Sequence, residues 1–215
     1  MIHGFRNRSD GGRQLAQKLK AYANRSDVLV AGLARGGVVV AFEVALELNA
    51  PLDVFIVRKL GAPGQQELAM GAIAEGGGRV LNQEVVDALN ISQDEIEQVA
   101  ADEKKELRRR QKLYRGGRSF PDVRGKTVIL VDDGLATGAT MLAAVRALRK
   151  KDVSRIVAAV PVGAADSCAT LAGEVEEMVC LLPLQSLGAI GEWYEEFAQT
   201  RDNEVLELLS RFHNV

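Results

Sequence analysis

Five short apolar runs, each separated from the next by a breaker-rich turn and mostly by an amphipathic segment, set the strongest limit on how this chain can fold. They are residues 27–33 (DVLVAGL), Leu52–Val57 (LDVFIV), Lys126–Asp133 (KTVILVDD), 155–161 (RIVAAVP) and 176–183 (EEMVCLLP). Each has the length of a strand and is continuous rather than alternating, so both of its faces need cover. Residues 10–22 put Leu15, Ala16, Leu19 and Tyr22 on one helical face. Val38–Leu48 has strand-like propensity, but Ala41, Val44, Ala45 and Leu48 stack at helical spacing, as do Leu142, Val145, Ala147 and Leu148 within Thr140–Lys150. A short helix is expected over Asp166–Ala172. Strands alternating with helices over short connections require right-handed crossovers, so the expected class is α/β with a mainly parallel sheet flanked by helices.

The remaining segments are read as additions to that sheet. GAPGQQE (Gly61–Glu67) is expected to be a loop, and AMGAIAE and RVLN flank Gly76–Gly78 as a β-hairpin. Residues 83–115 are expected to be helical and to lie over the domain, with Ile96, Val99, Ala100, Leu107, Leu113 and Tyr114 as an interrupted apolar stripe. The tail from Gln185 to Val215 carries Trp193, Tyr194 and Phe197 and then a closing helix. At 215 residues the chain is long enough for a single domain, 1–215, with one unstapled core.

Composition excludes several chemistries. With 47% hydrophobic and 26% charged residues the chain is not globally disordered, and a net charge of −2 argues against a dedicated nucleic-acid binder. The run Arg108, Arg109, Arg110, Lys112, Arg115 and Arg118 is a local exception, read as a solvated face because Glu103 and Glu106 lie within helical reach. Cys168 and Cys180 form no C-x-x-C pair and read as small core residues. The two histidines, His3 and His213, sit near the ends and read as surface residues, so histidine-based catalysis is not expected. The start, MIHGFRNRSDGG, turns polar before an apolar targeting core, and no run of 18 apolar residues follows, which points to a cytoplasmic protein without membrane association.

One turn stands out chemically. In VILVDDGLATGAT (Val128–Thr140) an apolar strand ends in Asp132 and Asp133, and a loop of small and hydroxyl residues opens a helix. Unpaired N–H groups at a helix start form an anion cradle. Gly134 and Gly138 admit close approach, while Thr137 and Thr140 offer hydroxyl donors. No lysine occupies the position found in nucleoside-triphosphate loops, so a monophosphate fits. The carboxylates beside it would accept hydrogen bonds from vicinal sugar hydroxyls, which together outlines a ribose 5-phosphate.

These residues resemble the phosphoribosyl diphosphate signature of type I phosphoribosyltransferases. LARGG (Leu33–Gly37) resembles that family's diphosphate loop, and VRKLG (Val57–Gly61) its basic strand end before a mobile catalytic loop. The resemblance implies a Rossmann-like fold with a small hood, here the segment 185–215, and a 5-phosphate loop of Gly134, Leu135, Ala136, Thr137, Gly138, Ala139 and Thr140. It implies diphosphate binding by Ala34, Arg35, Gly36, Gly37, Arg58 and Lys59, with a non-proline cis peptide at Ala34–Arg35. Asp132, Asp133, Arg35 and Lys59 would be the catalytic residues, with Mg²⁺ held by Asp132 and Asp133 directly or through water. GAPGQQE would be the lid, and Trp193 and Tyr194 would face the base from the hood.

The implied reaction moves ribose 5-phosphate from phosphoribosyl diphosphate to a nitrogenous base and releases diphosphate. Ala136 stands where enzymes for 6-oxopurines carry Asp, which disfavours hypoxanthine and guanine. The expected partners are these small molecules rather than nucleic acid, with a homodimer as the expected assembly. A nucleotide-sensing regulator on the same fold, with the 104–118 helix as an RNA surface, is the alternative.

Overall fold

The apolar runs are strands because their side chains pack both above and below one sheet. The computed structural model describes residues 4–213, apart from the side chains of Glu67 and His213. The expectations for His3 and His213 as surface residues lie outside the described part. Chain order is α1 (Arg8–Lys18), β1 (Val28–Leu33), α2 (Gly36–Leu48), β2 (Leu52–Phe55), β3 (Val57–Ala62), β4 (Gln65–Ala74), β5 (Gly78–Leu81), α3 (Gln83–Ala88) and α4 (Gln93–Arg115). It continues with β6 (Thr127–Val131), α5 (Ala139–Arg149), β7 (Arg155–Ala164), α6 (Ala165–Ala172), β8 (Glu177–Leu184) and α7 (Asp202–His213).

Five strands form a parallel sheet in the order β2-β1-β6-β7-β8. Alternate residues of β1 serve opposite cores. Val28 and Val30 join Leu15 of α1 and Val38, Ala41 and Leu48 of α2, whereas Leu29, Ala31 and Leu33 join Met141, Ala144 and Leu148 of α5. Each fully buried Val or Leu contributes roughly 1.5–3 kcal/mol, which is why the runs are apolar throughout. Pro161 lies in β7 beyond Ala159, the last residue paired with β6, so its missing N–H breaks no β6–β7 ladder. Among the described residues, no helix is long and apolar enough to cross a membrane.

Three expectations are corrected. Leu52–Val57 is not one strand: Ile56 is the handover between β2 in the parallel sheet and β3 in a separate antiparallel sheet, β3-β4-β5. Ile56 N–H donates to Glu75 Oε1 at 2.8 Å and its carbonyl accepts from Glu75 N–H at 2.9 Å, which replaces strand pairing at the bend. GAPGQQE is not a free loop either. Ala62 pairs with Gln65, leaving Pro63 and Gly64 as a two-residue turn with Gly64 at φ 75°, so the segment is a hairpin tip. The helical stretch 83–115 is broken between α3 and α4, where Asn90 is left-handed (φ 49°) and Ser92 and Glu95 form a reciprocal capping box that starts α4. The hairpin around Gly76–Gly78 is present as β4 and β5.

The two sheets are tied by a buried ion pair. Arg115 and Glu75 are each about 3% exposed, and Arg115 Nη1 lies 2.6 Å from Glu75 Oε2. Arg115 also donates to Asp53 Oδ1 at 2.9 Å and to the Val54 carbonyl, so one guanidinium holds α4, β2 and the β4–β5 turn together. Glu75 is therefore structural. Arg115→Met is expected to cost about 3–5 kcal/mol, because it leaves a buried carboxylate uncompensated. Adding Glu75→Gln, which keeps an acceptor for Ile56, is expected to recover most of that loss in urea denaturation.

Candidate active site

β1 and β6 are neighbours in register, Gly32 opposite Val131, so the turns that leave their carboxyl ends meet. One turn carries Ala34–Gly37 into α2 and the other Asp132–Gly138 into α5. The Ala34–Arg35 peptide is cis. The contact leaves no room for side chains: a Cβ on Gly36 would lie 1.9 Å from Asp133 Oδ2, and one on Gly37 would lie 2.6 Å from the Val131 carbonyl oxygen. The glycines are thus required by the acidic pair they abut, in addition to any ligand.

These turns open onto a cavity of about 800 Å³, bounded on the far side by β3, the β3–β4 tip and α4. Of the residues singled out from the sequence, Ala34, Arg35, Gly36, Arg58, Lys59, Asp132, Asp133, Gly134, Leu135, Ala136, Thr137, Gly138 and Thr140 line it. Gly37 and Ala139 do not; they pack behind its wall.

The 134–138 loop is held from behind by the extension of β7. Leu135 N–H donates to the Val162 carbonyl at 2.9 Å, and Ala164 N–H donates to the Leu135 carbonyl at 2.8 Å. Ser167 Oγ donates to the Ala136 carbonyl at 2.5 Å. Gly138, at φ 77°, occupies the N-cap of α5 and supplies no capping side chain, so the helix start faces the cavity without a cap from that position.

Arg8, which no local sequence pattern singles out, lines the cavity and neutralises part of the acidic pair. Its Nε donates to Asp133 Oδ2 at 2.7 Å, its Nη1 to the Ala198 carbonyl at 2.7 Å, and its guanidinium lies 3.8 Å from the Phe197 ring centroid. Asp132 Oδ1 accepts from Asp133 N–H at 2.9 Å. Burial, with the Asp133 charge second, pushes the Asp132 carboxyl well above the usual carboxylate range, against the opposing pull of Lys59 and Arg8.

The basic residues across the cavity are mostly paired. Arg58 Nε donates to Glu103 Oε2 at 2.6 Å, Arg35 Nη1 is 3.6 Å from Asp202 Oδ1, and Arg110 Nε donates to Glu106 Oε1 at 2.8 Å. Among the described residues Lys59 has no ion-pair partner. The partners of Arg58 and Arg35 were not legible in the sequence, because Glu103 reaches Arg58 from α4 and Asp202 reaches Arg35 from α7, whereas Glu106 pairs within α4 itself.

Trp193 and Tyr194 do not line the cavity, which corrects their expected place over a base. Tyr194 is buried between Phe5 and Phe197, with ring centroids 5.5 and 4.9 Å away, and its hydroxyl donates to the Asp133 carbonyl at 2.6 Å. Burial pushes that phenol upward. Trp193 Nε1 donates to the Leu187 carbonyl at 3.0 Å. Both rings serve a small apolar cluster that seats the N-terminal segment. Ile190, Gln199 and Thr200 are the residues of the 185–215 segment that reach the cavity, while α7 packs its Val205 and Leu209 into the core shared with α2.

The acidic strand end and the open helix start lie together at the carboxyl edge of a parallel sheet, the edge at which open α/β sheets take their ligands. Residues 1–174 match the model of the phosphoribosyl transferase domain, and the chain belongs to that family. Two proteins of Mycobacterium tuberculosis, from strains CDC 1551 and H37Rv and provisionally named phosphoribosyl transferases, are each 46% identical over 209 residues, or 97% of this chain. The chain spans about half the length of these curated relatives, 47%. The crystal structure of TT1426 from Thermus thermophilus superposes with a TM-score of 0.79 at 39% identity, covering 97% of this chain and 99% of the other. AQ2163 from Aquifex aeolicus shares the fold at 15% identity and a TM-score of 0.53, over 86% of this chain and 84% of that one.

Two outcomes follow from the wiring around the cavity. Arg8→Met should lower stability by about 2–3 kcal/mol in chemical denaturation, since it strips a partly buried carboxylate of its partner. Hydrogen bonds from Arg109, then Arg110, hold the Glu106 carboxyl down at about 2 from its ordinary 4.5. A depressed carboxylate stabilises the fold above its unfolded value and loses that contribution as the pH falls through the folded one. Glu106→Gln should therefore melt below the wild type at pH 7, with the gap closing between about pH 4.5 and 2.

Proposed function

We propose that the chain is a phosphoribosyltransferase that transfers ribose 5-phosphate from phosphoribosyl diphosphate to a ring nitrogen of a base and releases diphosphate. The observation that carries this reading is the meeting of the acidic pair, the start of α5 behind its side-chain-free N-cap Gly138 and the Arg35–Gly36 turn at one cavity. In the reaction a nitrogen–C1 bond forms as the C1–oxygen bond breaks, and the electron pair leaves with diphosphate. Such a step draws on positioning and electrostatics rather than on a side-chain nucleophile, in keeping with a cavity lined by no histidine or cysteine among the described residues.

Each part of the site has a role in that step. The 134–138 loop and the start of α5 would hold the 5-phosphate through main-chain N–H groups, with Thr137 and Thr140 as hydroxyl donors. Asp132 and Asp133 would accept from the ribose hydroxyls. Arg35, Arg58 and Lys59 would hold the leaving diphosphate, and Lys59 is the one that needs no exchange of ion-pair partner to do so. Arg58 and Arg35 would have to trade Glu103 and Asp202 for phosphate oxygens.

The donor set suits Mg²⁺. Asp133 Oδ2 is taken by Arg8 and Asp132 Oδ1 by a main-chain N–H, which leaves one oxygen on each carboxylate. Mg²⁺ commonly takes one or two carboxylates and completes its shell with water and substrate phosphate. When bound, it would neutralise charge on the diphosphate as that group departs.

Incubating the protein with Mg²⁺, phosphoribosyl diphosphate and each common purine or pyrimidine base should give base-dependent diphosphate release. Lys59→Ala should lower kcat/KM for phosphoribosyl diphosphate about 10- to 100-fold, the value of a hydrogen bond to a charged group. Calorimetric binding of phosphoribosyl diphosphate without release for any base would instead identify a nucleotide-sensing protein on the same fold.

A further inference from the structure

A second concavity of about 510 Å³, which shares no lining residue with the first, lies between the end of α4, the 117–120 segment and the end of α5. Its cationic lining is Arg108, Lys112, Arg115, Arg118 and Lys151, and its single acidic residue is Glu75. Glu75 and Arg115 cancel each other. Both Glu75 oxygens are already engaged, Oε1 by Ile56 N–H at 2.8 Å and Oε2 by Gln111 at 3.0 Å as well as by Arg115.

The other four cations have no carboxylate partner among the described residues. Glu106 does pair within the basic run, with Arg109 and Arg110, while Glu103 goes to Arg58, so neither acid reaches these four. Two helix carboxyl ends point toward the concavity and offset roughly half a charge each, which still leaves a net charge of about +3. Arg118 lies beyond the end of α4, and Lys151 follows α5, so the dipole of one helix does not account for the cluster. Phe120 provides an apolar wall, with Lys151 Nζ 6.0 Å from its ring centroid.

We infer that this concavity is a binding site for a small oligophosphate anion, such as the polyphosphate tail of a nucleotide, separate from the cavity at the acidic pair. A compact ligand suits it because these cations converge on one concavity against the Phe120 wall. Several neighbouring charges are paired, Lys105 with Asp102, Arg109 with Glu106 and Arg124 with Asp122, and Lys150 donates to the Gly77 carbonyl. A strand would need an extended run of unpaired cations.

The test is calorimetric titration without Mg²⁺ or phosphoribosyl diphosphate, using inorganic tripolyphosphate, ATP and GTP as probes, on the wild type, on Lys112→Glu/Arg118→Glu and on Lys59→Ala. The exposed double variant is expected to weaken tripolyphosphate binding about tenfold or more, while Lys59→Ala leaves it in place. Tighter binding of ATP or GTP than of tripolyphosphate would place a base against Phe120, and equal binding would leave the phosphates as the whole ligand; both support the site. Binding that vanishes in Lys59→Ala, or that survives the double charge reversal when this is added to Lys59→Ala, overturns it. So does a single-stranded RNA oligonucleotide that binds more tightly than any of the three probes and loses that binding in the double variant.

Discussion

The close contact between Gly36–Gly37 and Asp132–Asp133 is the constraint on which the rest of the site depends. Two adjacent parallel strands deliver their exit turns to the same point, and only residues without a Cβ let those turns touch. Placing a carboxylate pair there creates an electrostatic problem. It is met from several directions: Arg8 bonds one carboxylate, a main-chain N–H bonds the other, and Tyr194 fixes the Asp133 carbonyl from below. The N-terminal segment, the 185–201 stretch and the central sheet are thereby joined around two acidic side chains.

The second sheet and α4 make a wall from what would otherwise be a flat sheet edge. Arg115 holds that wall by joining α4 to β2 and to the β4–β5 turn. Its acids and bases are distributed so that most cations at the cavity already have carboxylate partners, whereas Arg108, Lys112, Arg118 and Lys151 have none among the described residues. A ligand entering the main cavity exchanges ion pairs, and exchange costs less than exposing or desolvating a free charge. The hairpin tip at Pro63–Gly64 is a paired element of this wall, so any movement there would carry β3 and β4 with it.

The parallel sheet, its flanking helices and the acidic turn into α5 were legible in the sequence because they rest on local signals. Continuous apolar runs, helical spacing and a strand–DD–glycine–helix pattern can each be read within about fifteen residues. The split at Ile56 was not legible, because LDVFIV is uniformly apolar but for one residue and the bend is imposed by Glu75, nineteen positions away. Trp193 and Tyr194 were misplaced for a related reason. Aromatic residues near a site suit a stacking face and a packing cluster equally well, and Phe5, from the other end of the chain, settles the difference.

By itself, then, the sequence determined the fold class, the strands of the parallel sheet with the helices that flank it, and the two turns that carry glycines, acids and hydroxyl groups. Only the tertiary structure decided which charges are free. Arg8 reaches Asp133, Glu103 reaches Arg58 and Asp202 reaches Arg35 across gaps of 125, 45 and 167 positions, and no local pattern encodes such pairs. Charge pairing acts through distance in space, so a chain's list of acids and bases acquires chemical meaning when the fold brings particular ones together.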